Sequence, residues 1–190
     1  MNKDDIVRDE ILKAAERVFQ RWGINKTTME DIASEAGKGK STLYYYYKSK
    51  EEIFDAVVFI EFGNILKKAR ESTNEVSSAK EKLIKYIIAS INEMKNKIAA
   101  YTIIREELRR NQKFIEKIRK FFDSKERQFI KDILKLGMDN KEFTFFNENE
   151  LNIAAKTIMG IIHAFELYLL LENDDTKQID IAAKLIANGI

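Results

Sequence analysis

Residues 37–50 read Gly37-Lys-Gly-Lys-Ser-Thr-Leu-Tyr-Tyr-Tyr-Tyr-Lys-Ser-Lys50. From Lys38 to Lys50 the chain holds four Lys and no acid. Lys40 to Tyr46 predicts a short helix, and successive helical residues turn by about 100 degrees, so Tyr44, Tyr45, Tyr46 and Tyr47 cannot all face a core. Exposed Tyr on a basic helix is a binding feature: each ring has an apolar face for contact and a hydroxyl for hydrogen bonding. Lys side chains suit phosphates, and hydroxyls suit phosphates or base edges. The segment therefore points to a helix that enters the major groove of DNA. Gly39-Lys40-Ser41 also copies the end of a phosphate-cradling P-loop. That motif needs Gly at the position held by Ser34 and a strand before the loop, where this chain predicts a helix.

Immediately upstream, Ile11, Leu12, Ala15, Val18, Phe19 and Trp22 recur at the spacing of one helical face, and Gly23 follows where a helix stops. A first helix is expected from about Asp4 to Trp22, with Trp22 packed at its end. Thr27 and Glu30 have capping-box spacing and predict a second short helix with Met29, Ile32, Ala33 and Ala36 inward, ended by Gly37. Two short helices joined by a Gly-containing turn form a helix-turn-helix pattern, with the following helix as the reader. Ser49 and Glu52 cap a fourth helix whose first half, Ile53 to Phe62, is apolar nearly all round.

Composition agrees with a helical protein. A chain of 190 residues with 45% hydrophobic content can build a core, while zero Pro and seven Gly leave little turn punctuation for β architectures. Zero Cys removes disulfides and thiol chemistry, and a lone His163 leaves His-based metal sites and triads without parts. Glu106 and Glu107 are adjacent on a predicted helix and diverge too far to share one site. The expectation is no catalytic residue, no metal, no cofactor and no enzyme. The net charge of +2 hides its distribution: residues 1–50 hold ten Lys/Arg against eight Asp/Glu, and residues 51–190 hold 23 of each. The basic patch, not the total, is the candidate electrostatic footprint. The polar N-terminus is followed by no apolar run, and the stretch Leu151–Leu171 is interrupted by Asn152, Lys156, His163 and Glu166. Neither reads as a signal or a membrane span, and a cytoplasmic protein is expected.

Ile11-Leu12, Ala14-Ala15, Phe19, Gly23, Thr27, Ile32-Ala33, Ala36-Gly37, Thr42-Leu43-Tyr44, Tyr46, Tyr47 and Ser49-Lys50-Glu51 together resemble the N-terminal signature of the TetR family of transcriptional regulators. The resemblance spans roughly residues 5–60. It implies a homodimer that sets two helix-turn-helix units in successive major grooves of a palindromic operator. On that resemblance, Leu43 and Tyr47 match core positions. Lys40, Ser41, Thr42, Tyr44, Tyr45 and Tyr46 match the DNA-facing side of the reading helix, Thr28 a phosphate contact, and Lys50 the basic residue opening the fourth helix. Lys38 and Gly39 depart from the usual turn residues, as does Ser41 from a usual Gly. Lys38 joins the DNA-binding candidates on charge, and Gly39 removes the side-chain N-cap of the reading helix.

Downstream, Leu83 to Ile91, Ile98 to about Arg110, Phe114 to near Gly137, Glu148 to Leu171 and Thr176 to Asn188 read as further helices, about nine in all. The expected architecture is all-α. Residues 1–50 form a three-helix helix-turn-helix DNA-binding domain and residues 51–190 a helical effector-binding and dimerisation domain. The resemblance implies an effector cavity among the middle helices. Phe62, Leu66, Tyr86, Met94, Tyr101, Phe114, Phe121, Phe122, Phe129 and His163 are the candidates to line it, which favours a lipophilic small molecule with few polar anchors. Small residues in the last two helices, Ala155, Gly160, Ala164, Ala183 and Ala187, are candidates for close packing against a second copy. The expected function is a ligand-responsive repressor released from its operator by a largely apolar effector. The alternative is a small-molecule-binding helical protein without a DNA role.

Overall fold

Asn2 opens the first helix with a reciprocal cap: its side chain accepts from Asp5 N at 2.8 Å, and Asp5 accepts from Asn2 N at 3.1 Å. The computed structural model describes residues 2–100, 111–171 and 177–189. In chain order these form α1 (Lys3–Lys26), α2 (Met29–Glu35), α3 (Lys40–Tyr46), α4 (Lys50–Glu71), α5 (Ala79–Ala100), α6 (Gln112–Asp139), α7 (Leu151–Leu171) and α8 (Lys177–Gly189). Short 3-10 turns occupy Ser72–Glu75 and Glu148–Glu150. The described residues contain no strand, and the fold is all-α as expected. The helix expected from Ile98 to Arg110 lies, beyond Ala100, outside the described residues.

Two local expectations shift. Gly23 sits at φ 74°, breaking α1 where a stop was expected, but a last turn continues to Lys26. The N-cap of α2 is Thr28, with Asp31 as its reciprocal partner, not Thr27 with Glu30. Both pairs have the same spacing. Thr27 is fully buried and donates its hydroxyl to Gly23 O at 2.7 Å, which leaves Thr28 as the cap. At the far end of α2, Gly37 takes φ 62°, donating to Ser34 O at 3.1 Å while Lys38 N reaches Ala33 O at 2.9 Å. That paired closure turns the chain sharply into α3.

The described residues group into two units, one built from those up to Phe62 with Ala99, Ala100 and Asn111, and the other from Gly63–Ile98 together with those after Asn111. In the first, Ile11, Ala15 and Phe19 of α1, Ile32 of α2, Leu43 of α3 and Ile53 of α4 are all fully buried. Phe19 and Phe54 meet edge to face at 5.6 Å between ring centroids. Such a pair adds about 1 kcal/mol beyond its burial. Trp22, expected to pack, is 46% exposed, because Phe19 and the Gly23 break already close that end of the apolar face. In the second unit Leu83, Ile87 and Ile91 of α5 pack with Ile130 and Leu134 of α6, Ile158 of α7 and Ala183 of α8.

The α6 to α7 connection is positioned by one carboxylate. Glu142 accepts from Ser78 Oγ at 2.5 Å and from the Ala79 and Lys80 amides at 3.1 Å each, capping α5 from a distant part of the chain. These donors hold its carboxyl at about 2, well below the usual range. Among the described residues, no helix is long and apolar enough to cross a membrane.

Candidate nucleic-acid interface

The reading helix α3 is seven residues long and cannot be stable alone. Leu43, fully buried, and Tyr47, 6% exposed, anchor it, as the core matches required. Its N-cap Gly39 makes no side-chain hydrogen bond, so α3 starts without the usual helper. With those two residues turned inward, Lys40, Ser41, Tyr44 and Tyr45 fall on the exposed side, at the three- and four-residue spacing of one helical face. Tyr44 is 47% and Tyr45 77% exposed. Thr42 is half-buried.

Each flanking group has a definite partner. Thr28 is exposed at the start of α2, accepting from Asp31 N and donating its hydroxyl to Asp31 Oδ2 at 2.7 Å. Tyr46, half-buried, donates to Asp4 Oδ1 at 2.8 Å, which pushes its own deprotonation up, and the Arg8 guanidinium lies 5.2 Å from its ring centre. Lys38 pairs with Glu10 of α1 at 2.8 Å, and Lys40 pairs with Glu30 of α2 while lying 5.8 Å from the Tyr44 ring centre. The Lys40 ammonium holds the Glu30 carboxyl low, and Glu30 raises Lys40 in return. The stretch is acid-free in sequence but not in space.

Lys50 is turned into the protein. Its ammonium donates to the carbonyls of Ile24 and Thr27 at 2.8 Å and of Asn25 at 3.3 Å, satisfying the end of α1. Sequence reasoning missed this role, since the acceptors lie more than twenty residues away. It also missed Arg17 and Arg21, which clamp Glu35 at the end of α2 at 2.6 and 3.1 Å.

In the second unit the effector candidates divide. Leu66, Tyr86 and Phe114 are buried, while Met94, Phe122, Phe129 and His163 are half-buried. Phe121 is 66% exposed: next to Phe122 on one helix, it points away when Phe122 turns inward. Phe62 belongs to the first unit, and Tyr101 lies outside the described residues. Burial pushes His163 down to about 4, so it is neutral. Among the described residues no group of His, Asp or Glu is arranged to hold a metal ion.

The small residues divide too. Ala155, Ala183 and Ala187 are fully buried inside the single chain, which excludes them from an outer face; their small size admits close helix packing within the unit. Gly160 and Ala164 are exposed. They continue an exposed stripe of α7, Ile153, Thr157, Gly160, Ala164 and Leu167, at alternating four- and three-residue steps, and α8 presents Ile181 and Leu185. A groove of about 470 Å³ beside them is lined by Phe145, Ile153, Ile158, Leu185 and Ile186 among others.

Residues 11–57 match the family described as bacterial regulatory proteins, tetR family. The HTH-type transcriptional repressor KstR2 of Mycolicibacterium smegmatis is 30% identical over 103 residues, covering 54% of this chain and 50% of that protein. The chain thus aligns with half of that curated relative's length. Two solved structures share the fold over nearly the whole chain. The fatty acid degradation regulator FadR from Bacillus halodurans has a TM-score of 0.65 at 21% identity, covering 97% of this chain and 96% of that one. A TetR transcription regulator from Haloarcula marismortui has a TM-score of 0.73 at 16% identity, covering 98% of each. The helix-turn-helix unit thus matches the tetR family of bacterial regulatory proteins, and the fold of the chain is that of solved TetR-type regulators.

Proposed function

We propose that the chain is a transcriptional repressor that binds a palindromic operator as a homodimer and leaves it when a small molecule occupies the second domain. The observation that carries the reading is the exposed face of α3, where Lys40, Ser41, Tyr44 and Tyr45 stand out from a helix anchored by Leu43 and Tyr47. In this reading residues 1–50 bind DNA and residues 51–190 bind effector and partner. Ser41, Thr42, Tyr44 and Tyr45 read bases. Thr28, Lys38 and Lys40 meet phosphates, and Lys50 and Tyr46 hold the reading helix in position. The repressor sign follows the related KstR2, whose printed name is that of a repressor. The protein acts where its DNA is, in the cytoplasm, by binding without catalysis.

The dimer reading is supported by the exposed stripes of α7 and α8, whose Gly160 and Ala164 let a symmetry mate approach closely. It is supported also by need: one seven-residue helix contacts too few bases for useful affinity alone. The effector acts through α4, which supplies residues to both units, and it can do so only by preferring the geometry that does not fit DNA. Selection of sites from a random DNA pool with the full chain at moderate salt tests the reading. An enriched palindrome with half-sites about 34 Å apart is expected. Absence of enrichment, with weak binding to every sequence, overturns it.

A further inference from the structure

The second unit hides two carboxylates that its own donors do not satisfy. Glu126 of α6 is 6% exposed and Glu166 of α7 is 2% exposed. Arg70 of α4 stands 2.8 Å from Glu126 Oε1, yet among the described residues neither oxygen of Glu126 has an aligned hydrogen-bond donor. Glu166 Oε2 has none among them either: the Arg119 guanidinium is 3.9 Å away and gives an N–H to the His163 carbonyl at 3.2 Å. Arg119 and Glu126 are seven residues apart on α6 and so lie on one face. Burial holds both carboxyls up, at about 7, and the Glu126 charge adds to the rise at Glu166. Aromatic surface adjoins them. The Arg70 guanidinium lies 5.9 Å from the Phe129 ring centre, and Phe129 tilts against Tyr86 at 5.1 Å between centroids.

Buried acceptors without donors are rare because each one forfeits its hydration with nothing in return. Three such oxygens in one interior, beside aromatic rings, are acceptors awaiting donors. We infer that the effector is a lipophilic cation, an apolar body ending in a protonated amine, whose N–H groups Glu126 and Glu166 receive. The inference rests on the effector reading proposed above. An ammonium brings donors and the positive charge that makes two buried carboxylates tolerable. A fatty acid brings neither. To hold its carboxylate, Arg70 and Arg119 would have to turn from Glu126 and Glu166, leaving those two groups buried with no counter-charge.

The test compares three probes of equal chain length, n-decylamine, n-decanol and decanoate, below their aggregation concentrations, by calorimetric titration of the full chain. Decylamine is expected to bind at least tenfold more tightly than decanol, with decanoate weakest. Glu166→Gln and, separately, Glu126→Gln are expected to erase the preference for the amine over the alcohol, with thermal unfolding checking that each variant is folded. The comparison of head groups in the unaltered protein stands even where a variant fails to fold. Decanoate binding most tightly and releasing operator DNA overturns the cation assignment and leaves the effector reading intact. If none of the three binds, both fail, and an amine preference that survives both substitutions removes the role of the carboxylates.

Discussion

The Tyr46 phenol donates to Asp4 Oδ1 at 2.8 Å, tying the reading helix to the first turn of α1, 42 residues earlier. Its neighbour Tyr45 is 77% exposed, with its ring edge to face against Tyr46 at 4.9 Å. The two tyrosines therefore answer differently to substitution. Tyr45→Ala is expected to weaken binding to the selected operator by about tenfold or more, the worth of one base contact, with no change in thermal stability. Tyr46→Phe is expected to lower stability slightly, by loss of that hydrogen bond, and to change operator affinity little. Fluorescence anisotropy and thermal unfolding of each variant check this pair.

Lys40 and Lys50 carry the same charge and have opposite surroundings. Lys40→Ala removes the proposed phosphate contact, so it is expected to weaken all DNA sequences alike and flatten the log–log salt dependence by about one unit. Glu30→Gln frees Lys40 from its ion pair and is expected to tighten binding at low salt. Lys50→Ala strips three carbonyls of their donor and is expected to cost about 1–3 kcal/mol of stability. Its salt slope should match the unaltered protein. A Lys50 variant that loses slope but not stability would place that ammonium on a phosphate.

Leu185 is 70% exposed on α8, beside the α7 stripe. A charge there meets its own twofold copy or its apolar neighbours in the proposed dimer. Leu185→Asp is expected to yield a folded monomer by analytical ultracentrifugation, with operator affinity reduced at least a hundredfold. A dimer of undiminished affinity would move the interface elsewhere.

The end of α6 closes with Lys141 at φ 59°, donating to Met138 O while Glu142 N reaches Gly137 O at 2.7 Å. Glycine favours that backbone conformation, so Lys141→Gly is expected to stabilise the chain by up to about 1 kcal/mol. The Phe143 ring lies where a side chain on Gly137 would go: a Cβ there would meet Phe143 Cδ2 at 2.0 Å. Gly137→Ala is expected to destabilise by about 2 kcal/mol or more. Urea unfolding midpoints report both.

Stability should peak in mildly acidic solution. Glu142, held at about 2 against an ordinary 4.5, contributes stability that is present above 4.5 and is lost as pH falls toward 2. Glu126 and Glu166, raised to about 7, act with the opposite sign: their protonated forms are favoured in the fold, so stability declines as pH rises from 4.5 through 7. His163, lowered to about 4, opposes them between 4 and 6.5 as one group against two. Glu142→Gln is expected to flatten the acid limb of a melting-temperature profile, and Glu166→Gln to reduce the decline between 4.5 and 7.

Much of this was legible in residue order. The Lys40–Tyr46 helix and the Gly37 stop follow from interactions within one or two helical turns, which a one-dimensional reading captures, and the inward Leu43 and Tyr47 follow from the resemblance of the reading helix. The same reasoning could not choose between Thr27 and Thr28, because both have capping spacing and burial alone separates them. The sequence by itself determined an all-helical chain with a basic, Tyr-rich reading helix. The tertiary structure decided which cations face acids. Glu10 and Glu30 reach Lys38 and Lys40, and the end of α1 receives Lys50, across ten to twenty-eight residues of chain. It also decided that Ala155, Ala183 and Ala187 pack inward and that Glu126 and Glu166 are buried. Periodicity and capping are short-range, whereas charge pairing and burial depend on which distant helices meet, and that information appears only once the chain has folded.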